Sequence, residues 1–295
     1  MEDLPQRPKR NLRPYYSQRR KHGETYRLNM SNLKASFRVF YDSFNKCGYF
    51  TEAFGQHCVD GFWQGYVGDV DHALILMIQK SGKWPISEKA IFYSEEDIFD
   101  MIEFLFDHVS KPIDGYIHTF NDCGWHFKKF EKLSGQQEFR DEINEILRKY
   151  EDGFYLSELG YITHLGNEPI RNLCEAKLPG NDPENIDARV KAATEKFRRY
   201  QSSTDDRRDA VRDLFDVLEF LRPKLKHALK ADDERDLFNI ANNFGVRHHN
   251  QNQKNGYDKS IWLSWMFHFN LATIHAALRL IEKNPLTQKT GTERL

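Results

Sequence analysis

A loop between two apolar segments, residues 242–253, has the densest run of polar side chains in this sequence, NNFGVRHHNQNQ. Arginine, histidine and asparagine can hold a phosphate, donate to developing negative charge and transfer protons near neutral pH. A loop fixed by two helices is a common place for such a site. The alternative is a surface loop whose polar side chains cap the helix ends. The candidate catalytic residues are Arg247, His248, His249 and Asn250, and the candidate binding residues are Asn243, Asn252 and Gln253.

The charged residues of the preceding segment, 204–222, form a second part of this hypothesis. Glu219 is a candidate binding residue that can reach the same cleft, together with Arg222 and with Arg207, Arg208 and Arg212. The alternative is an ordinary charged outer face of an amphipathic helix.

Two other segments, QHCVDG at 56–61 and IHTFNDCGWH at 117–126, carry side chains of the types that bind zinc. The spacing of these side chains matches no established zinc pattern. Buried cysteine and hydrogen-bonded histidine are the commoner roles for such residues, so the sequence predicts no metal and no cofactor. The side chains considered are His57, Cys58, Asp60, His118, Asp122, Cys123 and His126.

The elements that must position these residues are mostly helices. In residues 31–165 we predict an α+β region. It has helices near 33–45, 94–110 and 136–150, a helix or buried strand at 71–79, and a β-hairpin over 154–162 that turns near Gly160. Ser94 and Asp97 have the spacing of a capping box at the start of the second of these helices.

Residues 166–184 are rich in glycine and proline and are predicted to be a linker. After it the pattern predicts helices over 185–200, 204–221, 232–243 and 258–283, the second of them ended by Pro223. The predicted fold class is therefore mainly α, with an N-terminal α+β region and a C-terminal helical bundle over 185–295.

The C-terminal segment of about 110 residues resembles a HEPN domain of the prokaryotic abortive-infection (Abi-like) type. The resemblance is carried by DRRDAVRDLFDVLEFLRP, by an arginine followed by a polar residue, and by the long apolar segment IWLSWMFHFNLATIHAALRL. It implies a bundle of about four or five helices, usually dimeric. It also implies metal-independent endoribonuclease activity in which Arg247 takes the arginine position and His248 the polar position.

The family pattern also has a histidine separated from the arginine by about four to six residues, where this sequence has Asn252, Gln253 and Lys254. Two hypotheses follow from this departure. In the first, the chain is a defence or toxin-type ribonuclease that acts on RNA as a homodimer, with His249 doing the histidine's work. In the second, it is a non-catalytic module that binds a nucleotide, a nucleic acid or a protein. A scaffold that oligomerises through its C-terminal helices is a third class.

Composition limits the class of protein. The 295 residues are 39% hydrophobic and 29% charged, which excludes a polytopic membrane protein, and the 14% aromatic content argues against general disorder. The net charge of −1 hides an asymmetry: residues 1–40 hold ten basic and three acidic residues, a net +7, so the remainder carries −8. Residues 1–30 are predicted to be a basic flexible tail, so that RNA binding remains physically open.

The cellular setting follows from what the sequence lacks. No apolar secretory signal begins the chain, and the four cysteines form no disulfide-like framework, which favours a cytoplasmic protein with reduced thiols. Residues 260–278 carry no formal charge, but their serine, histidine and asparagine side chains are costly in lipid. We therefore predict a buried bundle helix there and no membrane association.

Overall fold

The computed structural model describes residues 4–5, 16, 27–166, 168–180, 182–226, 228–229, 232, 235, 237–239 and 258–283. The chain divides into two compact units, unit 1 over residues 1–165 and unit 2 over residues 166–295. The described part is mainly helical with small antiparallel strand pairs, which confirms the predicted fold class at that level. Most of the predicted basic tail and the whole loop 242–253 lie outside the described residues.

Unit 1 alternates helices with three antiparallel hairpins, β1–β2, β3–β4 and β5–β6. The helices are α1 (Met30–Lys46), α2 (Thr51–Phe54), α3 (Val70–Ile78), α4 (Ile86–Lys89), α5 (Glu95–His108) and α6 (Lys132–Leu147). The strands are β1 (Gln56–Cys58), β2 (Gly61–Trp63), β3 (Lys111–His118), β4 (Gly124–Glu131), β5 (Phe154–Leu156) and β6 (Ile162–His164).

The core of unit 1 is built from aromatic rings on one face of α1 and their partners on α6. Phe40 and Phe44 are buried, and each packs edge-on against Phe139, with ring centroids 4.9 and 5.3 Å apart. The spacing of the two α1 residues is one helical turn, which is why the sequence pattern already indicated this helix. Edge-to-face packing of this kind adds to the area that the rings bury.

Helix α5 begins at the predicted capping box. The Ser94 hydroxyl accepts a bond from the Asp97 amide, and the Asp97 carboxylate accepts one from the Ser94 amide. The same carboxylate is nearly buried and pairs with Lys83 at 2.7 Å and Lys80 at 3.0 Å. Burial raises the pKa of Asp97, but the bonds from Lys83, Ser94 and Lys80 outweigh it, and the net pKa is well below the usual range.

The long hairpin β3–β4 was not predicted from the sequence. Its strands do not alternate buried and exposed residues, and register shifts interrupt the pairing near Pro112 and Asp114. Period-two alternation is the signal by which a half-buried strand is found, so this hairpin leaves little trace. Gly115 is required in it, because a Cβ there would lie 2.5 Å from the carbonyl oxygen of His126.

Unit 2 is helical in its described residues. Its elements are α7 (Glu168–Glu175), a π-helical turn (Pro183–Asp187), α8 (Ala188–Arg198), α9 (Thr204–Leu225) and α10 (Lys259–Lys283). Buried side chains from α8, α9 and α10 form a single apolar core. Two details differ from the sequence-based expectation. Helix α7 lies inside the segment predicted to be a linker, and α9 continues through Pro223 to Leu225 instead of ending before it.

The segment 260–278 lies within α10. Among the described residues, no helix combines the length and the apolar character needed to cross a membrane. Of the predicted helix over 232–243, only residues 232, 235 and 237–239 are described, and all are helical.

Candidate metal centre

Four side chains of unit 1 that are far apart in the sequence meet at the ends of two hairpins. Cys58 ends β1, His118 ends β3, Cys123 directly precedes β4, and His126 lies in β4. One ligand atom from each of the four lies within 4.8 Å of all the others. Two thiols and two imidazoles in this arrangement are the ligand set of a tetrahedral zinc site.

Local backbone geometry brings these residues into position. The connection between β3 and β4 is tight, and Asn121 and Asp122 both adopt the left-handed conformation there, which asparagine and aspartate tolerate best among non-glycine residues. The resulting register pairs His118 with Gly124 and Tyr116 with His126. His118 and His126 therefore lie diagonally on neighbouring strands, with ring centroids 5.2 Å apart.

The distances between ligand atoms match the edges of a tetrahedron around zinc. With Zn–S near 2.3 Å and Zn–N near 2.05 Å, ideal tetrahedral edges are about 3.8 Å for S···S and about 3.6 Å for S···N. The Cys58 and Cys123 Sγ atoms are 3.6 Å apart. Cys58 Sγ lies 3.5 Å from His118 Nδ1, and Cys123 Sγ lies 3.2 Å from His126 Nε2. The S···S edge and the Cys58–His118 edge are thus close to those of a bound ion, and the Cys123–His126 edge is shorter by about 0.4 Å.

The electrostatics of the cluster favour a cation. The Asp60 amide donates to Cys58 Sγ at 3.4 Å, and this bond lowers the pKa of the Cys58 thiol. Burial, the neighbouring Cys123 and the Asp60 carboxylate raise the pKa, and the net shift is upward. Two thiolates this close repel one another, and a divalent cation between them removes that repulsion.

The surroundings orient the imidazoles. His118 faces Cys58 with Nδ1 and the Asp60 carboxylate, at 3.8 Å, with Nε2. A carboxylate behind the second ring nitrogen is a common partner of a metal-bound histidine. His126 is buried, and the Trp63 ring packs edge-on against it at 5.5 Å. These contacts restrict ring rotation and water access at the site.

The structure separates the seven side chains that the sequence suggested as metal ligands. Cys58, His118, Cys123 and His126 come together, whereas the exposed His57 packs against the Phe62 ring, with centroids 4.8 Å apart and the rings tilted by 45°. Asp60 supports the cluster from outside, and Asp122 is exposed in the β3–β4 connection. The prediction of no metal was based on the spacing of these residues in the sequence. Of the four clustered residues, only Cys123 and His126 are close together in the chain, so only this pair gave a local signal of the site.

The site that the sequence placed at 242–253 is represented in the described residues by Glu219 alone. The Glu219 carboxylate lies 3.3 Å from Arg222 one turn later in α9, and the Arg222 guanidinium lies over the Phe238 ring. Arg208 and Arg212 each pair with an aspartate three residues earlier in α9. Outside the described residues lie Asn243, Arg247, His248, His249, Asn250, Asn252 and Gln253.

Comparisons with known proteins found no matching family model, curated protein or solved structure. The function is therefore inferred from the residues of this chain, and the four-ligand cluster of unit 1 has the most specific geometry among the described residues.

Proposed function

We propose that unit 1 is a zinc-binding module in which Cys58, His118, Cys123 and His126 hold one Zn²⁺ ion. The observation that carries this proposal is the close approach of the four ligand atoms, within 4.8 Å of one another, with two of the edges close to tetrahedral lengths. A mixed thiolate and imidazole set favours zinc over magnesium and calcium, which prefer oxygen ligands.

The site is structural. Four protein ligands complete the tetrahedron and leave no position for a reactive water, unlike catalytic zinc sites with three protein ligands. The ion joins β1 to the hairpin β3–β4, two separate two-stranded sheets. An isolated two-stranded hairpin is only marginally stable, so a metal link between the two supplies stability that their small apolar contacts do not.

Metal analysis of the purified protein tests this proposal. We expect one zinc per chain by elemental analysis, and visible d–d bands of tetrahedral cobalt after exchange with Co²⁺. Cys123→Ala and His126→Ala should each lose most of the metal. Cys47→Ala and His72→Ala are matched controls, because neither side chain belongs to the cluster, and both should keep it. Protein with well below one zinc and no tetrahedral cobalt spectrum would refute the proposal.

For unit 2 we propose, as a second candidate, the function that the HEPN resemblance implies: a metal-independent ribonuclease that acts as a dimer. Besides the resemblance, an exposed apolar stripe along α10 supports the dimer. Its spacing of three or four residues places its members on one helical face. The stripe consists of Ile261, Trp265, Phe269, Ala272, Ala276 and Leu280, with Ile261, Trp265 and Leu280 exposed by 66%, 41% and 39%.

This stripe has the features of a helix–helix contact. The two alanines leave room for close approach of a second helix, and the larger side chains lie on either side of them. Exposed apolar surface of this kind marks an interaction site when it is contiguous. A second copy of α10, with the same stripe, is self-complementary by two-fold symmetry.

Two measurements test this second candidate. Sedimentation should show a dimer for the wild type and a monomer for Trp265→Glu, since a charge in the stripe opposes pairing. Incubation with total RNA and tRNA should give cleavage that Arg247→Ala and His249→Ala abolish and that Arg189→Ala, at an exposed position of α8 outside the candidate site, retains. Absence of cleavage by the wild-type protein would leave the non-catalytic binding module in its place. A monomeric wild type would refute the dimer.

A further inference from the structure

Beside the metal centre of unit 1 lies a small open cavity of about 140 Å³. This volume is well below the roughly 300–1,000 Å³ of pockets that bind a complete small molecule, so the cavity has room for one functional group of a larger ligand. The cavity is lined by Thr51, Glu52, Gln56, Trp63, Gln64, His126, Phe127 and Phe130. His126 is one of the four zinc ligands, so the cavity and the metal centre share a wall.

Three walls of the cavity are aromatic. The Trp63 side chain is 56% exposed, and its ring is set at 88° to the His126 imidazole. Phe127 and Phe130 on β4 are half-buried, with their rings inclined at 62° to one another. Rings at differing angles around a small space present π-faces to a group that enters it, and such faces attract cations.

The charged side chain that lines the cavity is negative. Among the described residues that line the cavity, Glu52 is the only carboxylate and none is a lysine or an arginine. No ion pair or side-chain hydrogen bond of Glu52 occurs among the described residues. This negative charge opposes a phosphate and favours a cation.

The lining also offers neutral hydrogen-bond acceptors. The Gln56 amide nitrogen donates to the carbonyl of Trp125 at 2.6 Å, which leaves the amide oxygen of Gln56 as an acceptor. Gln64 is exposed at the rim and supplies another amide oxygen. A carboxylate, two amide oxygens and aromatic faces suit a planar group with several N–H donors, which is the chemistry of guanidinium.

We propose that this cavity binds the guanidinium group of an arginine side chain presented by a peptide. A lysine ammonium has the same charge but a more compact and more strongly hydrated head, so it binds more weakly here. A nucleobase can also stack on aromatic side chains, but the phosphate of a nucleotide would face the carboxylate of Glu52. The inference goes beyond the zinc site, whose role would be to hold Trp63 and His126 in place.

Titration followed by the indole N–H resonance of Trp63 tests this inference. The protein is labelled with ¹⁵N-tryptophan, and the Trp63 signal is assigned as the one lost in Trp63→Phe. N-acetyl-arginine methylamide should cause a saturable shift of this signal. The citrulline analogue, nearly the same in shape but uncharged, should bind at least about tenfold more weakly, because the charge-assisted bond to Glu52 is lost. Free arginine is titrated in the same way. Weaker binding than the blocked compound supports a peptide as the source of the guanidinium, and equal or tighter binding overturns that source.

Three results would each overturn the inference. They are equal shifts with the arginine and citrulline compounds, no saturable shift with arginine, and tighter binding of uridine monophosphate. Glu52→Gln should weaken arginine binding about tenfold, whereas Glu88→Gln, an exposed carboxylate on α4 outside the cavity, should not change it. Zinc content is measured on the same samples: zinc without arginine binding refutes this inference alone, and arginine binding without zinc refutes the metal site alone.

Discussion

Replacing Cys58 by serine should remove the zinc and uncouple β1–β2 from β3–β4. The hydroxyl of serine is a poor zinc ligand at neutral pH, because the ligand must be deprotonated. In the zinc-bound protein, the ion links Cys58 to His118, which lie 60 residues apart in the chain. The ion binds the folded chain and not the unfolded one, so its loss removes the binding free energy from the stability of the fold.

The size of the effect follows from this linkage between binding and folding. With free zinc about 1,000-fold above its dissociation constant, binding to the folded chain alone contributes about 4 kcal/mol at 25 °C. Unit 1 spans 165 residues. For a unit of this size, each kcal/mol shifts the unfolding midpoint by about 2–4 °C, so Cys58→Ser should lower Tm by about 8–16 °C.

Thermal unfolding followed by circular dichroism measures this shift, with zinc content determined on each sample. Cys47→Ser is the matched control, because Cys47 is also half-buried but lies outside the four-ligand cluster. We expect the control to retain both zinc and Tm. A chelator should lower the Tm of the wild type to near that of Cys58→Ser and should leave the variant unchanged.

Two results would refute this reasoning. If Cys58→Ser and Cys47→Ser lower Tm equally, the effect is ordinary loss of thiol packing and not loss of a metal link. If Cys58→Ser loses zinc while Tm stays within about 2 °C of the wild type, then zinc binding is not coupled to folding as this reasoning requires.

Three further predictions concern stability. Asp97→Asn should destabilise unit 1 by about 3 kcal/mol at pH 7, because it leaves the Lys83 ammonium without its buried partner. The lowered pKa of Asp97 stabilises the fold above about pH 4 and loses that effect as the pH falls through the folded-state value. Urea unfolding at pH 7 and pH 2.5 should therefore show the gap between wild type and variant narrowing in acid, and a constant gap would contradict this. Asn270→Leu should stabilise unit 2 by about 1–2 kcal/mol in urea unfolding. The reason is that both polar side-chain atoms of the fully buried Asn270 lack hydrogen-bond partners among the described residues. A loss of stability would show that the amide is needed. Gly160→Ala should lower the free energy of unfolding of unit 1 by about 1–3 kcal/mol, because the residue is left-handed at φ +85° and an added Cβ would lie 2.6 Å from the Phe106 ring. An unchanged urea midpoint would contradict this steric account.

The helices of this protein were largely predictable from the sequence. The aromatic residues of α1 and the apolar positions of α9 recur at helical spacing, and Ser94 with Asp97 marked the start of α5 by a local pattern. Helical periodicity and capping depend on residues within a few positions of one another, so they are visible in a single sequence. The extension of α9 past Pro223 was not predictable in this way, because the surrounding packing decides whether a helix continues through a proline.

The mainly helical composition, the hairpin near 154–162 and the residue types able to bind zinc can be read from the amino-acid sequence alone. Which of those residues meet depends on the folded chain. Cys58 lies 60 residues before His118, and the hairpin that carries His118, Cys123 and His126 has no alternating pattern to reveal it. Neither the register of β3 on β4 nor the approach of β1 is a local property. Both depend on long-range packing, which places the four ligand atoms within 4.8 Å of one another.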